Sequence, residues 1–396
     1  MTVSPPTEDL FPWNDEAFRA DPHPWYDRAR QIAPVHRTGD GTFVVLGHGD
    51  TMHAARLPVM SIVEPGWAES HPWQIFNSTV LSLDPPLHTR MRRLTNRWLS
   101  PKSAAKWSAT TSELTAAFLD ALEPGQVVDA HFDIGVSPTH ITMCRMLDMP
   151  EGDVERIFWA LWDAMLINAT APGHEIAATS QAGLDYLFAE TEQHLRAKQA
   201  EPGVGLADDL LAAHARGELT WREVLETTVI LYMSGGPNPA YLIGSAIKLF
   251  AERPDIMQVY RDEPASRENI VNEVARLNPV ELIITRFPTE DIDIHGVAVP
   301  AGSCVKFPIG AANRDPAVFS APHEFDHTRS PDESRNLTFG LGVHSCAGQM
   351  LARAEVDAVL TEVAKRYSGI ELVSSPTEVR TDRLVAFEHM PVRLLP

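Results

Sequence analysis

The feature that most constrains this fold is a helical run that opens at Thr220-Trp-Arg-Glu223 and continues to Arg253, where Pro254 stops it. Thr followed three residues later by Glu is a capping box, in which each residue satisfies a backbone N–H of the other. At about 1.5 Å per residue the run is roughly 50 Å long, enough to cross the molecule. In its middle stands Gly235-Gly236-Pro237-Asn238-Pro239. No helix interior favours that sequence, because each interior proline costs ~3 kcal/mol. Such a cost points to a functional bend, and the bland alternative is two helices joined by a turn.

A second stretch carries the chemistry. In Phe339-Gly-Leu-Gly-Val-His-Ser-Cys346-Ala-Gly348, three glycines crowd one cysteine. Gly340, Gly342 and Gly348 can take positive φ and let the backbone approach a large rigid object. Beyond them Leu351, Ala354, Ala358, Val359 and Val363 share one helical face, which puts Cys346 at a helix N-terminus. Free N–H groups and the helix dipole there are expected to favour thiolate over thiol. A thiolate in an apolar, glycine-lined loop suits an axial ligand of haem iron. A lone cysteine is more often a small buried hydrophobe. A dinucleotide fingerprint fails because Ser345 stands where a third glycine is needed. A zinc or redox pair fails because Cys144 and Cys304 lie far away in sequence.

Phe339-x-x-Gly342-x-His344-x-Cys346-x-Gly348 resembles the haem-binding signature of the cytochromes P-450, in their soluble bacterial form. The resemblance extends along nearly the whole chain. It implies a mainly α fold with small β-sheets, a single domain over residues 1–396, and a long central helix over a buried haem b (iron protoporphyrin IX) with Cys346 as the iron ligand. His88 and Arg92, four apart on one helical face, match the family's propionate-binding pair. Arg286 matches its propionate arginine, and His344 is a further donor from the cysteine loop. Glu273-Val-Ala-Arg276 matches its buried Glu/Arg pair, which Arg329 completes.

The central helix departs from the family. Where bacterial members carry Ala/Gly-Gly-x-acid-Thr, this chain has Ser234-Gly235-Gly236-Pro237-Asn238. The ionisable group that feeds protons to the reaction is gone, and general acid catalysis needs a group that can release one. Asn238 still donates and accepts hydrogen bonds. Pro237 and Pro239 free the carbonyls of Met233 and Gly235. Asn238, Gly235 and Gly236 are therefore the candidate catalytic positions. The expected function is a monooxygenase or related tailoring oxidation of a mid-sized organic molecule, of the kind found in secondary metabolism, with protons relayed by water or substrate. Coupling, nitration and desaturation belong to the same reading. The alternatives are a peroxide-dependent enzyme and a non-catalytic haem sensor or scaffold.

Composition narrows the partners. Formal charge is −20, which disfavours nucleic acid and anionic membranes. No apolar run reaches the ~18 residues of a spanning helix, and the start lacks the flank and core of a secretory signal. Three well-separated cysteines fit a reducing compartment, so we read the chain as cytoplasmic. From Pro85 to Ser112 there is no acidic residue, while Arg90, Arg92, Arg93, Arg97, Lys102 and Lys106 lie within it. Such a patch suits an acidic ferredoxin-type donor.

The remaining signals are local. Val35 to Leu46, around Gly39-Asp-Gly41, reads as a hairpin and is the clearest sheet signal of the first half. Trp67, Trp73 and Phe76 sit in a Pro/Gly-rich stretch that reads as a substrate-facing lid. Helical periodicity fills residues 110–215, with breaks at Pro150, Pro172-Gly173 and Pro202-Gly203, and the family places the region from Trp162 to Thr170 near the pocket roof. His323-Glu324-Phe-Asp-His327 fits the zinc motif H-E-x-x-H, which works only on a helix. Pro316, Pro322 and Pro331 around it mark a loop instead.

Overall fold

The computed structural model describes residues 9–66, 79–166 and 174–396. Trp67, Trp73, Phe76 and the segment 167–173, with its expected break at Pro172-Gly173, lie outside them.

The hairpin forms as expected: β1 (Val35–Arg37) and β2 (Phe43–Val45) pair antiparallel, with Val35 opposite Val45. The first half also holds β3 (Met60–Ser61) and β4 (Val127–Asp129). Runs this short carry too few residues for alternation to show. β5 (Ile283–Pro288), the hairpin β6 (Ile292–Ile294) and β7 (Val297–Val299), and β8 (Val305–Pro308) follow. The main sheet runs β1-β2-β8-β5-β3. The C-terminal part adds β9 (Gly369–Leu372), β10 (Thr377–Arg380), β11 (Val385–His389) and β12 (Pro391–Leu395), arranged as the sheet β4-β12-β9 and the hairpin β10-β11.

Helices make up most of the rest. Among the described residues, 110–166 and 174–215 are mostly helical as read, with the breaks at Pro150 and Pro202-Gly203 in place, and they also hold β4 and a π-helical turn at Ala130–Val136. Asp129 opens that turn by accepting from the N–H groups of His131 and Phe132.

The long central run begins where expected. Thr220 accepts from the Glu223 N–H, and Glu223 accepts from the Thr220 N–H at 2.8 Å. It then divides into helices Trp221–Gly235 and Pro237–Glu252, with the single residue Gly236 between them at φ −95°, ψ −61°. Pro237 and Pro239 thus fall in the first turn of a new helix, where N–H groups have no intrahelical partner in any case. The proline cost expected for a helix interior is largely avoided.

Each half is held by a different core. Val229, Ile230, Tyr232 and Met233 pack with Met143, Cys144, Met146 and Leu147 of the helix Ser137–Leu147. Beyond the break, Tyr241, Ile243, Ile247 and Phe250 pack with Val356, Val359, Leu360 and Val363 of the helix Gln349–Arg366, the one that follows the cysteine loop. The central run therefore ties the cysteine side of the molecule to its helical body.

Candidate functional site: a glycine-lined cysteine facing a polar clamp

Gly340 and Gly342 take φ of +68° and +66°, a conformation costly for any residue with a Cβ. They fold the loop so that the Cys346 N–H donates to the Phe339 carbonyl at 2.7 Å. Gly348 differs from expectation. Its φ is −84°, and it serves as N-cap of Gln349–Arg366, with a Cβ there meeting only Cys346 Sγ at 3.9 Å.

The thiol is accessible although protein surrounds it closely enough that burial is the leading influence on its ionisation. Burial pushes its pKa up, against the pull of the Gly348 and Gln349 N–H groups and of Arg92. Desolvation thus opposes the helix N-terminus at this thiol.

Beside the cysteine loop the structure gathers a polar cluster. His88, on the helix Leu87–Thr95, is 3% exposed, and neither ring nitrogen has a partner among the described residues. Its ring centroid lies 4.2 Å from that of His344. Burial, then His344 and Arg92, push its pKa down to about 4, so it is neutral. His344 Nε2 meets Asp84 Oδ1 at 3.2 Å, while its Nδ1 is buried and unpaired. Arg92 Nη1 donates to the Ser345 carbonyl at 3.0 Å. Arg286, on β5 and 7% exposed, spends Nη1 on the Thr285 carbonyl at 2.8 Å and leaves Nε buried without a partner. Burial pushes its pKa down to about 10, so it remains cationic at neutral pH.

Orphaned buried donors are costly in a finished fold, at ~1–3 kcal/mol each. Arg286 Nε and the single ring N–H of neutral His88 are such donors, and two of them beside one accessible cysteine fit a bound group that carries carboxylates. Asp84 was not foreseen. Its carboxylate also takes the Ser61 hydroxyl and the Ile62 N–H at 3.4 Å, and so ties β3 to the cysteine loop.

The glycines of the central run have a packing role. A Cβ on Gly235 would lie 2.1 Å from Met143 Cε and 2.7 Å from its Cγ, and one on Gly236 would lie 3.0 Å from His140 Cβ. Both let the break press against the helix Ser137–Leu147. The Gly236 carbonyl accepts from Thr139 Oγ1 at 2.9 Å and from the Ala240 N–H at 3.3 Å. Asn238 is half-buried, caps no helix end, and its amide has no hydrogen-bond partner among the described residues.

Behind the cysteine loop, Glu273 and Arg276 form the paired contact expected, and Arg329 joins it, Nε to Glu273 Oε1 at 2.9 Å. Glu355, on the buried face of the cysteine helix, was not foreseen. Burial raises its pKa well above the usual range, with Thr111 Oγ1 3.3 Å from Oε1. The H-E-x-x-H segment is not helical, and His323 pairs with Asp27 at 2.9 Å. Of the basic stretch, Arg90 is paired with Glu223 and Arg97 with Asp209. Arg93, Lys102 and Lys106 remain exposed, with Lys106 over the Trp107 ring at 4.3 Å. No helix of the described residues is long and apolar enough to cross a membrane.

Known proteins agree with this geometry. The family model for cytochrome P450 matches residues 267–389. Cytochrome P450 CYP107DY1 of Priestia megaterium is 31% identical over 304 residues, 76% of this chain and 72% of its own. The 6-deoxyerythronolide B hydroxylase of Saccharopolyspora erythraea is 28% identical along the full length of both chains, and the nocardicin C N-oxygenase of Nocardia uniformis subsp. tsuyamanensis is 29% identical over 93% of this chain and 94% of its own. In fold, the crystal structure of P450BioI with a fatty-acyl carrier protein superposes with a TM-score of 0.88, covering 96% of this chain and 100% of its own, at 22% identity. The relatives place the cysteine loop in a known setting: the chain belongs to the cytochrome P-450 family and is a haem b oxidoreductase of the monooxygenase type.

Proposed function

We propose that residues 1–396 form one domain around one haem, with Cys346 on the iron and His88, Arg92, Arg286 and His344 on the propionates. The unpaired Nε–H of Arg286 and the one unpaired ring N–H of His88 support this, since each gains a carboxylate acceptor. When bound, the haem supplies a redox-active iron at which dioxygen is reduced and an organic substrate oxidised. The chain's own contribution is to hold that group, exclude bulk water and deliver electrons and protons.

The reaction we propose is a tailoring oxidation of a mid-sized organic molecule. Relatives named as a hydroxylase and an N-oxygenase of such molecules support it. Electrons come from an acidic ferredoxin-type protein docked on Arg93, Lys102 and Lys106. Protons come from ordered water or a substrate hydroxyl, because Pro237 and Asn238 replace the family's acid and threonine. The observation that carries this reading is Asn238 itself, whose amide has no hydrogen-bond partner among the described residues. Its amide releases no proton near neutral pH, so its role is to position water or substrate.

Spectral shifts of the haem on adding a panel of compounds identify a substrate, and coupling of reductant to product is then measured in Asn238→Ala. Altered coupling or products with an unchanged haem spectrum are expected. Normal coupling and products, with a lower melting temperature alone, would overturn the positioning role.

A further inference from the structure

We infer that Ser234 is the hydroxyl that faces the haem from the central helix and donates the hydrogen bond to iron-bound ligands that this chain's Pro237 and Asn238 have left without a threonine. The inference rests on the haem reading above and goes beyond it in assigning the residue.

Orientation comes first. Gly236 and Ala240 define the side of the central run that packs on the helix Ser137–Leu147 and the turn before it: Gly236 approaches His140, and Ala240 lies against Gly135. At about 100° of rotation per residue, Ser234 and Asn238 project roughly 160° to either side of Gly236, on the opposite face. Leu231 falls on that face as well.

Accessibility agrees. Ile230, Tyr232 and Met233 are buried at 6%, 3% and 4% exposure, as is Ala240. Ser234 is exposed, and Leu231 and Asn238 are half-exposed. The three form a stripe at i, i+3 and i+7 that opens in the middle of a helix buried on its other faces.

Bonding agrees too. Hydroxyls in helices commonly turn back to the carbonyl four residues earlier. Thr228 does so to Val224 and Ser245 to Tyr241, both at 2.8 Å and both in this central run, and Thr139 does so to Gly135 at 2.8 Å. Ser234 does not, and its hydroxyl has no partner among the described residues.

From Ser234 to Pro239 the polar side chains are Ser234 and Asn238 alone. Gly236 between them keeps right-handed helical-region angles, φ −95° and ψ −61°, so the spacing of about 5–6 Å at Cβ for residues four apart on a helix applies roughly across the break, close enough for one water or substrate group to bridge them. Of the two, a hydroxyl can donate one proton while accepting another. A proton passed on by Oγ is replaced from water, and none is consumed by the side chain.

Carbon monoxide on the reduced haem is the probe. A hydrogen-bond donor beside bound carbon monoxide lowers its C–O stretching frequency, so Ser234→Ala is expected to raise it and to remove its shift in D2O, while Ser234→Thr keeps both near wild type. Ser245→Ala, on the same run but bonded back to Tyr241, is expected to change neither. A C–O stretch in Ser234→Ala identical to wild type, or moved by Asn238→Ala alone, overturns the assignment. Should the wild-type carbon monoxide complex lack the thiolate-type spectrum, the haem reading fails first and this inference with it.

Discussion

Replacing Glu273 by glutamine removes the negative charge shared by two buried guanidinium groups. Its Oε1 accepts from Arg276 Nη2 at 2.7 Å, Arg329 Nε at 2.9 Å and the Asp326 N–H at 3.1 Å, and its Oε2 from Arg276 Nε at 2.7 Å. Arg276 is 0% exposed and Arg329 7%, so water cannot take the lost acceptor's place. The glutamine NH2 would also point a donor at a donor. Breaking a buried pair by removing one partner costs ~3–5 kcal/mol. With ~2.1 cal/mol/K of unfolding entropy per residue, 396 residues give ~0.8 kcal/mol/K, so the melting temperature should fall by about 4–6 °C. Glu371→Gln is the control: its partner Arg393 is half-exposed, and an exposed pair is worth ~0–1 kcal/mol, or about 1 °C. Thermal melting of both haem-loaded variants, followed by calorimetry, decides. If Glu273→Gln melts no lower than Glu371→Gln, the reasoning about the buried triad is wrong.

Two further outcomes follow from the clamp and the basic face. Arg286→Ala should lose haem several-fold faster to an excess of apomyoglobin, because a buried charge-assisted contact to a propionate is lost; an unchanged rate would remove Arg286 from the clamp. Reduction by a ferredoxin-type partner should slow as salt rises, since attraction between exposed charges is screened over about 8 Å at physiological ionic strength. Arg93→Glu should slow it further, and Arg97→Glu less so, because Arg97 is already paired with Asp209. A salt-independent rate would rule out electrostatic docking.

Local chemistry was what the sequence disclosed best. The capping box at Thr220, the hairpin at Val35 and the positive-φ turns at Gly340 and Gly342 are each decided within a few residues, and each stands where it was read. The Glu273/Arg276/Arg329 network was legible only through a family resemblance, because the partners are 56 residues apart along the chain. What the sequence hid were contacts between distant segments. Asp84 touches His344 across 260 positions, and nothing in Asp84-Pro-Pro announces it. Gly235 and Gly236 read as bend residues, but their space is claimed by Met143 and His140. The prolines read as a cost in one long helix, whereas they open a second one. At the Cys346 thiol, burial, a property of the whole fold, acts against the two N–H groups of the helix N-terminus.

The carbon monoxide difference spectrum of the reduced protein tests the central assignment most directly. Wild type should show the long-wavelength Soret band of a thiolate-ligated haem, and Cys346→Ala should lose it. A wild-type band of the histidine-ligated type, or a thiolate-type band that survives in Cys346→Ala, would contradict Cys346 as the iron ligand.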